Sequence, residues 1–410
     1  MEHNKINKSV LISCFLAGCL EMYDFAIFGF LSQLINDKYL SFLSGTNSLI
    51  ITYSIFAVGF LFRPVGSLIF GYIGDVYGRK PALIISVSMM GIASLGMSLL
   101  PDFESIGILS CYLIAIIRII QGISVGGEYN GAILYAMEHN SKNRIGLIGS
   151  LATIGTTLGL VIATFVSKFL QDPSLPSYSW RFAFLLGFFL SILGYFIRKE
   201  LTETPEFNEL RRKSGIPLFN SFKKMPSLFL IVILVAGANN SNLYYLLVYI
   251  PNRLSVDFNI GLMITTINFF LVPIFGWISD KVNRATMLSV SCAFLGIYNL
   301  FLYNALLEAS SSTTQIILLA IASIMTACII SISNIFVIEV FPTEYRYSSA
   351  SFGYSLGAAL LGGTVLIVCS VIEKIFENSS TYVSLYLSIL SILGSIAAVY
   401  YKKYKNIKYY

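Results

Sequence analysis

GYIGDVYGRK, residues 71–80, closes one apolar segment just before the next begins, and GWISDKVNR, residues 276–284, does the same half a chain later. Both contain Gly-x3-Asp-x3-Arg, as Gly71, Asp75 and Arg79 and as Gly276, Asp280 and Arg284, offset by 205 residues in a chain of 410. A short charged loop repeated between greasy segments reads as a duplicated membrane unit. The rest of the chain should then divide into two matched halves.

Composition agrees. Apolar residues make up 56% of the chain and charged residues 12%, too little polar surface to cover a soluble body of 45.4 kDa. A helix needs about 20 apolar residues to cross a hydrocarbon layer roughly 30 Å thick. Twelve such runs are legible, near 10–35, 47–73, 82–100, 106–130, 146–170, 181–197, 226–250, 260–278, 286–307, 314–338, 348–372 and 381–401. The longest polar stretch, 198–224, follows the sixth. The expected architecture is an all-α integral membrane protein of twelve transmembrane helices. Residues 1–200 would form an N-terminal six-helix bundle, 201–225 a cytoplasmic linker and 226–410 a C-terminal six-helix bundle.

An even number of crossings puts both termini on one side. Placing them inside gathers 20 of the 27 Lys and Arg residues on that side, among them Lys5, Lys142, Arg198, Arg211, Arg212 and Lys213. This bias predicts cytoplasmic termini. The net charge of +6 is then accounted for by orientation beside anionic lipid, without a nucleic-acid partner. Six cysteines, at 14, 19, 111, 292, 328 and 369, fall in or at the ends of proposed spans with no Cys-x-x-Cys pair; they read as small packing residues. Leu16-Ala17-Gly18-Cys19 resembles a lipoprotein cleavage signal, but apolar sequence continues to Ile35 and cleavage would break the two-half symmetry.

Charge within a span is the sharpest functional signal, because it costs at least about 2.5 to 3.5 kcal/mol unless paired or hydrated. The first span carries Glu21 and Asp24, one turn apart and so on one face. The fourth carries Arg118 near its centre and Glu128 ten residues, or roughly 15 Å, further on. One reading is a static pair in which Arg118 neutralises a carboxylate and holds two helices together. The functional reading uses the same groups for proton loading. Desolvation favours the neutral form of a carboxylic acid and a nearby guanidinium favours the ionised form, so alternating between these settings takes up and releases a proton. His3 and His139 fall in predicted loops, and no intramembrane nucleophile and base or metal-ligand cluster is visible. Neither an enzyme nor a cofactor is therefore expected. Gly122, Gly126, Gly127 and Gly131 on the fourth span, and Gly155 and Gly159 on the fifth, offer surfaces for close helix contact.

Together these residues resemble the major facilitator superfamily, and within it the metabolite:proton symporter branch that contains proline/betaine transporters. RPVGSLIFGYIGDVYGRK, residues 63–80, is similar to that branch's loop between spans two and three, and RIIQGISVGGEYNGA, residues 118–132, to its fourth-span motif. Glu21-Met-Tyr23-Asp24-Phe25, Glu203-Thr-Pro205-Glu-Phe207, and Phe341-Pro342 with Arg346 and Gly362-Gly363 resemble further signatures. The resemblance implies an alternating-access carrier in the bacterial inner membrane, working with protons and as a monomer. It implies a cytoplasmic gate built on Arg63, Gly71, Gly74, Asp75, Gly78 and Arg79, with Gly276, Asp280 and Arg284 as the second copy. That copy has Ser279 for Gly74 and Asn283 for Gly78, so its turn should differ.

The expected protonating group is Asp24 or Glu21, with Arg118 tuning it or contacting a substrate carboxylate and Glu128 assisting transfer toward the cytoplasm. A betaine would suit an aromatic cage and one cationic contact. Tyr23, Tyr244, Tyr245 and Tyr249 are candidates, with Asn239, Asn240, Asn242 and Asn268 beside them. An anion would want more than one buried cation, and the spans offer only Arg118 and the motif residue Arg63. The expectation is therefore import of a small zwitterion such as proline or betaine, with a di- or tricarboxylate such as 2-oxoglutarate or citrate as the alternative, and an uncoupled facilitator or channel as a third.

Overall fold

The computed structural model describes residues 8–40, 54–55, 58–140, 144–209, 217–254, 258–309, 311–376 and 379–408. His3, Lys5, Lys142, Arg211, Arg212, Lys213 and the start of the second expected span lie outside them. Among the described residues the chain is helical and has no strand. Twelve elements carry the architecture: α1 (Lys8–Phe30), α2 (Arg63–Val76), α3 (Arg79–Leu99), α4 (Leu109–Glu138), α5 (Ile145–Leu170) and α6 (Arg181–Lys199). These are followed by α7 (Pro226–Tyr244), α8 (Phe258–Ser279), α9 (Arg284–Glu308), α10 (Ser312–Glu339), α11 (Arg346–Gly357) and α12 (Ser379–Lys408).

Eleven described helices are long and apolar enough to cross a membrane. α2 is the far end of the remaining expected span. Helices are what an apolar solvent demands, since each satisfies its own backbone polar groups. Large apolar side chains such as Ile92, Phe189, Phe196, Phe270, Phe301 and Ile396 stand exposed on the outer faces, the surface a lipid-facing helix presents. Serine, threonine and asparagine point inward instead, for example Ser94, Ser124, Asn299, Ser331 and Asn334.

Three expected spans are interrupted. The first ends at Phe30, and a separate helix Ser32–Tyr39 follows a turn at Leu31. α7 passes into a π-helical stretch, Tyr245–Tyr249, and α11 into another, Ala358–Gly362, before helix resumes at Val365–Ile375. Such π turns disrupt the regular backbone ladder and concentrate at functional sites. α7 and α11 pack closely here: side chains added at Gly237 or Gly362 would strike Leu361 or Asn240.

The chain divides into two compact units. Of the described residues, those within 7–139 and 154–214 make up one and those within 140–153 and 215–410 the other. Close backbone contact organises the first: Gly122 and Gly126 of α4 lie against the backbone of Gly59 and Arg63, and Gly155 and Gly159 of α5 against Phe15 and Cys19 of α1. Its apolar core gathers Tyr23, Ile27, Phe28, Trp180 and Phe184.

Candidate functional site

Six charged side chains converge inside the first unit. α1 supplies Glu21 and Asp24, α2 Arg63, α4 Arg118 and Glu128, and α6 Arg198, and none is more than 5% exposed. The three acids and three bases do not simply pair off. Arg198 Nη2 donates to Glu128 Oε1 at 2.7 Å, and its Nη1 donates to the Leu83 carbonyl at 2.7 Å. Arg118 instead donates from Nη1 to Gln121 Oε1 at 2.9 Å. Asp24 lies within electrostatic reach of Arg118 and Glu128, opposite Ser94, and Glu21 within reach of Arg63, Arg198 and Glu128. Neither carboxylate oxygen of Asp24 meets a hydrogen-bond donor among the described residues.

Phenylalanines organise the two remaining cations. The Arg63 guanidinium carbon lies 4.6 Å from the ring centres of both Phe25 and Phe60. That of Arg118 lies 4.8 Å from Phe25 and 4.2 Å from Phe28. Both arginines therefore rest on Phe25, one residue after Asp24, where the ring quadrupole offsets part of the loss of hydration. Arg63, which the resemblance groups with the loop motif, sits at the first turn of α2 and is buried against Phe25 together with Arg118.

Glu128, expected to assist proton transfer, stands in a direct ion pair with Arg198. The expectation puts Arg198 in the polar stretch that follows the sixth span. α6 stays helical through Lys199, so its buried face runs Ala183, Gly187, Ser191, Gly194 and Arg198. That small-residue stripe at helical spacing was the available signal. Gly187 completes the pocket for Asp24, since any side chain there would strike the carboxylate.

The two loop motifs share a third member that the sequence reading missed. Arg79 is fully buried; its Nε lies 3.2 Å from Glu138, its Nη1 donates to the Gly74 carbonyl at 2.7 Å, and Asp75 is 3.4 Å away. Arg284 repeats this with Asp280 at 2.8 Å and Glu339 at 2.5 Å. Glu138 and Glu339 end the fourth and tenth helices, a repeated glutamate legible once the halves are aligned. The turns differ. Gly78 has φ +126°, and the amides of Arg79 and Lys80 donate to Glu203 at 3.0 and 3.1 Å. Asn283 has φ −61° and caps α9 by accepting from the Thr286 amide. Asp280 also accepts from the Gly146 and Leu147 amides, at 2.6 and 3.0 Å, at the start of α5. A carboxylate at a helix N-terminus is favourably placed.

The expected lining residues fare unequally. Tyr23 is buried in the apolar core with its hydroxyl donating to the Ala183 carbonyl at 2.7 Å, which makes it a packing residue. Asn240 donates to the Ala236 carbonyl and faces the Tyr354 hydroxyl, and Asn268 accepts from Ser323. Asn239 is buried with an unsatisfied oxygen. Asn242 bridges Asn299 and Ser391. Tyr244 ends α7 beside the π turn, half-buried. Tyr245 and Tyr249 stack at 5.6 Å, with Tyr303 at 6.5 and 5.9 Å from them. Tyr303 also donates to Glu373, which pairs with Arg253.

Comparison with known proteins places this architecture. The sequence model of the Major Facilitator Superfamily matches residues 14–365. The chain belongs to that superfamily. Its fold is the twelve-helix, two-bundle major facilitator fold, and it is a transporter, not an enzyme. This superfamily member is 27% identical over 410 residues to the shikimate transporter of Escherichia coli (strain K12), covering 95% of this chain and 93% of that one. It is 26% identical over 412 residues to a putative proline/betaine transporter of Staphylococcus aureus (strain COL), covering 96% and 88%. Against the alpha-ketoglutarate permease of Escherichia coli (strain K12) it is 27% identical over 392 residues, covering 93% and 90%. The solved structure of the proton:xylose symporter XylE bound to 6-bromo-6-deoxy-D-glucose matches with a TM-score of 0.77 at 17% identity, covering 97% and 95%.

Proposed function

We propose that this superfamily member is a proton-coupled symporter that imports a small carboxylate-bearing metabolite across a bacterial inner membrane. The observation that carries the reading is the pair of buried acids, Glu21 and Asp24, set beside Arg63 and Arg118 without a direct ion pair to either. An acid locked in an ion pair is a structural element, whereas one held near a cation but not bonded to it can exchange a proton as its surroundings change. The relatives' names support the substrate class: shikimate, proline, betaine and alpha-ketoglutarate all bear a carboxylate. The chain works as a monomer, with both termini cytoplasmic. Residues 1–200 and 226–410 form the alternating halves, joined by the linker 201–225. Asp75, Arg79 and Glu138, with Asp280, Arg284 and Glu339, are the gating elements, and Asp280 engages its partners through α5.

Proteoliposomes test this directly. Uptake of shikimate, 2-oxoglutarate, proline and glycine betaine is measured with and without an inward proton gradient. Accumulation of one of them above its equilibrium level only with the gradient is expected. Gradient-independent equilibration would establish an uncoupled facilitator and refute the reading. A second reading, a zwitterionic osmolyte such as proline or betaine, is favoured by the Tyr245, Tyr249 and Tyr303 cluster, whose rings suit a quaternary ammonium.

A further inference from the structure

Counting charges in the first unit narrows the substrate. Arg198 and Glu128 neutralise one another directly. What remains is Glu21 and Asp24 against Arg63 and Arg118. With both acids ionised these four sum to zero; with both protonated, these four described groups carry two positive charges. Two guanidinium groups on one phenylalanine ring repel each other, so the protonated state needs negative charge from elsewhere. Each guanidinium presents planar donors matched to a carboxylate. The Nε of Arg63 meets no acceptor among the described residues, although the side chain is buried.

We infer that Arg63 and Arg118, held together on Phe25, form the docking site for the carboxylate of a net-anionic substrate, a small hydroxy- or keto-acid without an ammonium group, and that protonation of Glu21 and Asp24 is what opens it. This rests on the proton-symport reading and deepens it. Substrate anion and proton then bind cooperatively, because each relieves the charge imbalance that the other would create, and by linkage each strengthens the other equally. Among the described residues, the charged groups facing the two arginines are Asp24, beside Arg118, and Glu21, beside Arg63, both on α1, with Glu128 of α4 within reach of the two acids. Behind them are Arg198 on α6, already paired, and Tyr23, whose hydroxyl is engaged by Ala183. A zwitterion fits this centre poorly. Its ammonium would need an ionised acid or an open aromatic face, yet loading neutralises the acids, and Phe25, Phe28 and Phe60 already carry guanidinium groups.

Equilibrium binding to the purified full-length protein tests this without a gradient. Shikimate, 2-oxoglutarate and glycine betaine are titrated at pH 7.5 and 5.5 by calorimetry, with thermal shift as a second readout. One of the two anions is expected to bind, about tenfold or more tightly at pH 5.5, and glycine betaine at least about tenfold more weakly than that anion. Arg63→Gln should weaken the anion by about tenfold or more in protein that still unfolds cooperatively. Glu21→Gln with Asp24→Asn should leave anion binding tight and nearly independent of pH, which a folding defect would not produce. Failure of both anions to bind, preference for betaine, tighter binding at pH 7.5, or full affinity in Arg63→Gln would each overturn the site. Gradient-driven uptake alongside selective betaine binding would leave the symport reading standing and remove this one. Anion binding as described without gradient-driven uptake would do the reverse.

Discussion

Replacing Arg198 by Met should be among the more damaging single changes in the first unit, although the sequence places this residue at the edge of a loop. The change removes a 2.7 Å ion pair to Glu128 and a 2.7 Å bond to the Leu83 carbonyl, both buried. It leaves a carboxylate that is 1% exposed and whose second oxygen has no partner among the described residues. Breaking one side of such a pair costs about 3 to 5 kcal/mol, most of it the penalty for the stranded charge. Glu128→Gln strands the guanidinium in the same way. The double variant strands neither, so its cost should fall short of the summed single costs by up to about 3 kcal/mol, the upper range for directly coupled residues. Unfolding free energies of the four proteins in mixed detergent micelles give this coupling directly. Additivity within about 0.5 kcal/mol, the behaviour of independent sites, would refute the claim that Arg198 and Glu128 act as a pair.

The turn residues yield two further predictions. Gly78→Ala places a methyl group on the Glu203 carboxylate in a backbone with φ +126°; it should cost on the order of 1 to 3 kcal/mol, read as a lowered unfolding temperature, and an unchanged temperature would contradict the turn geometry. Asp280→Asn keeps the shape and removes the charge that accepts from Gly146, Leu147 and Arg284. It should cost about 1.5 to 3 kcal/mol, the range for hydrogen bonds to charged groups. Stability equal to the parent in the same assay would show that the α5 contact carries no weight.

The fold was largely legible from the chain itself because lipid leaves few choices. Apolar runs of membrane-spanning length must be helices, and the charged loops between them mark where they end. The interruptions at Leu31, Tyr245–Tyr249 and Ala358–Gly362 were not legible, since their residues are as apolar and helix-compatible as their neighbours. The site was half legible. Glu21, Asp24 and Arg118 announce themselves because a charge amid apolar sequence has no structural excuse, whereas Arg198 hides among the basic residues that end its helix.

The sequence alone determined the all-helical membrane architecture, the internal duplication and which acids lie within apolar segments, because hydrophobicity and spacing are properties of a segment by itself. Only the tertiary structure decided which charges answer each other: Arg198 takes Glu128, Arg63 joins Arg118 on Phe25, and Glu138 and Glu339 complete the two motifs. Long charged side chains reach several ångströms across to neighbouring helices. Their partners are set by which helix faces meet, and that is fixed by close glycine contacts between segments far apart in the chain rather than by any local pattern.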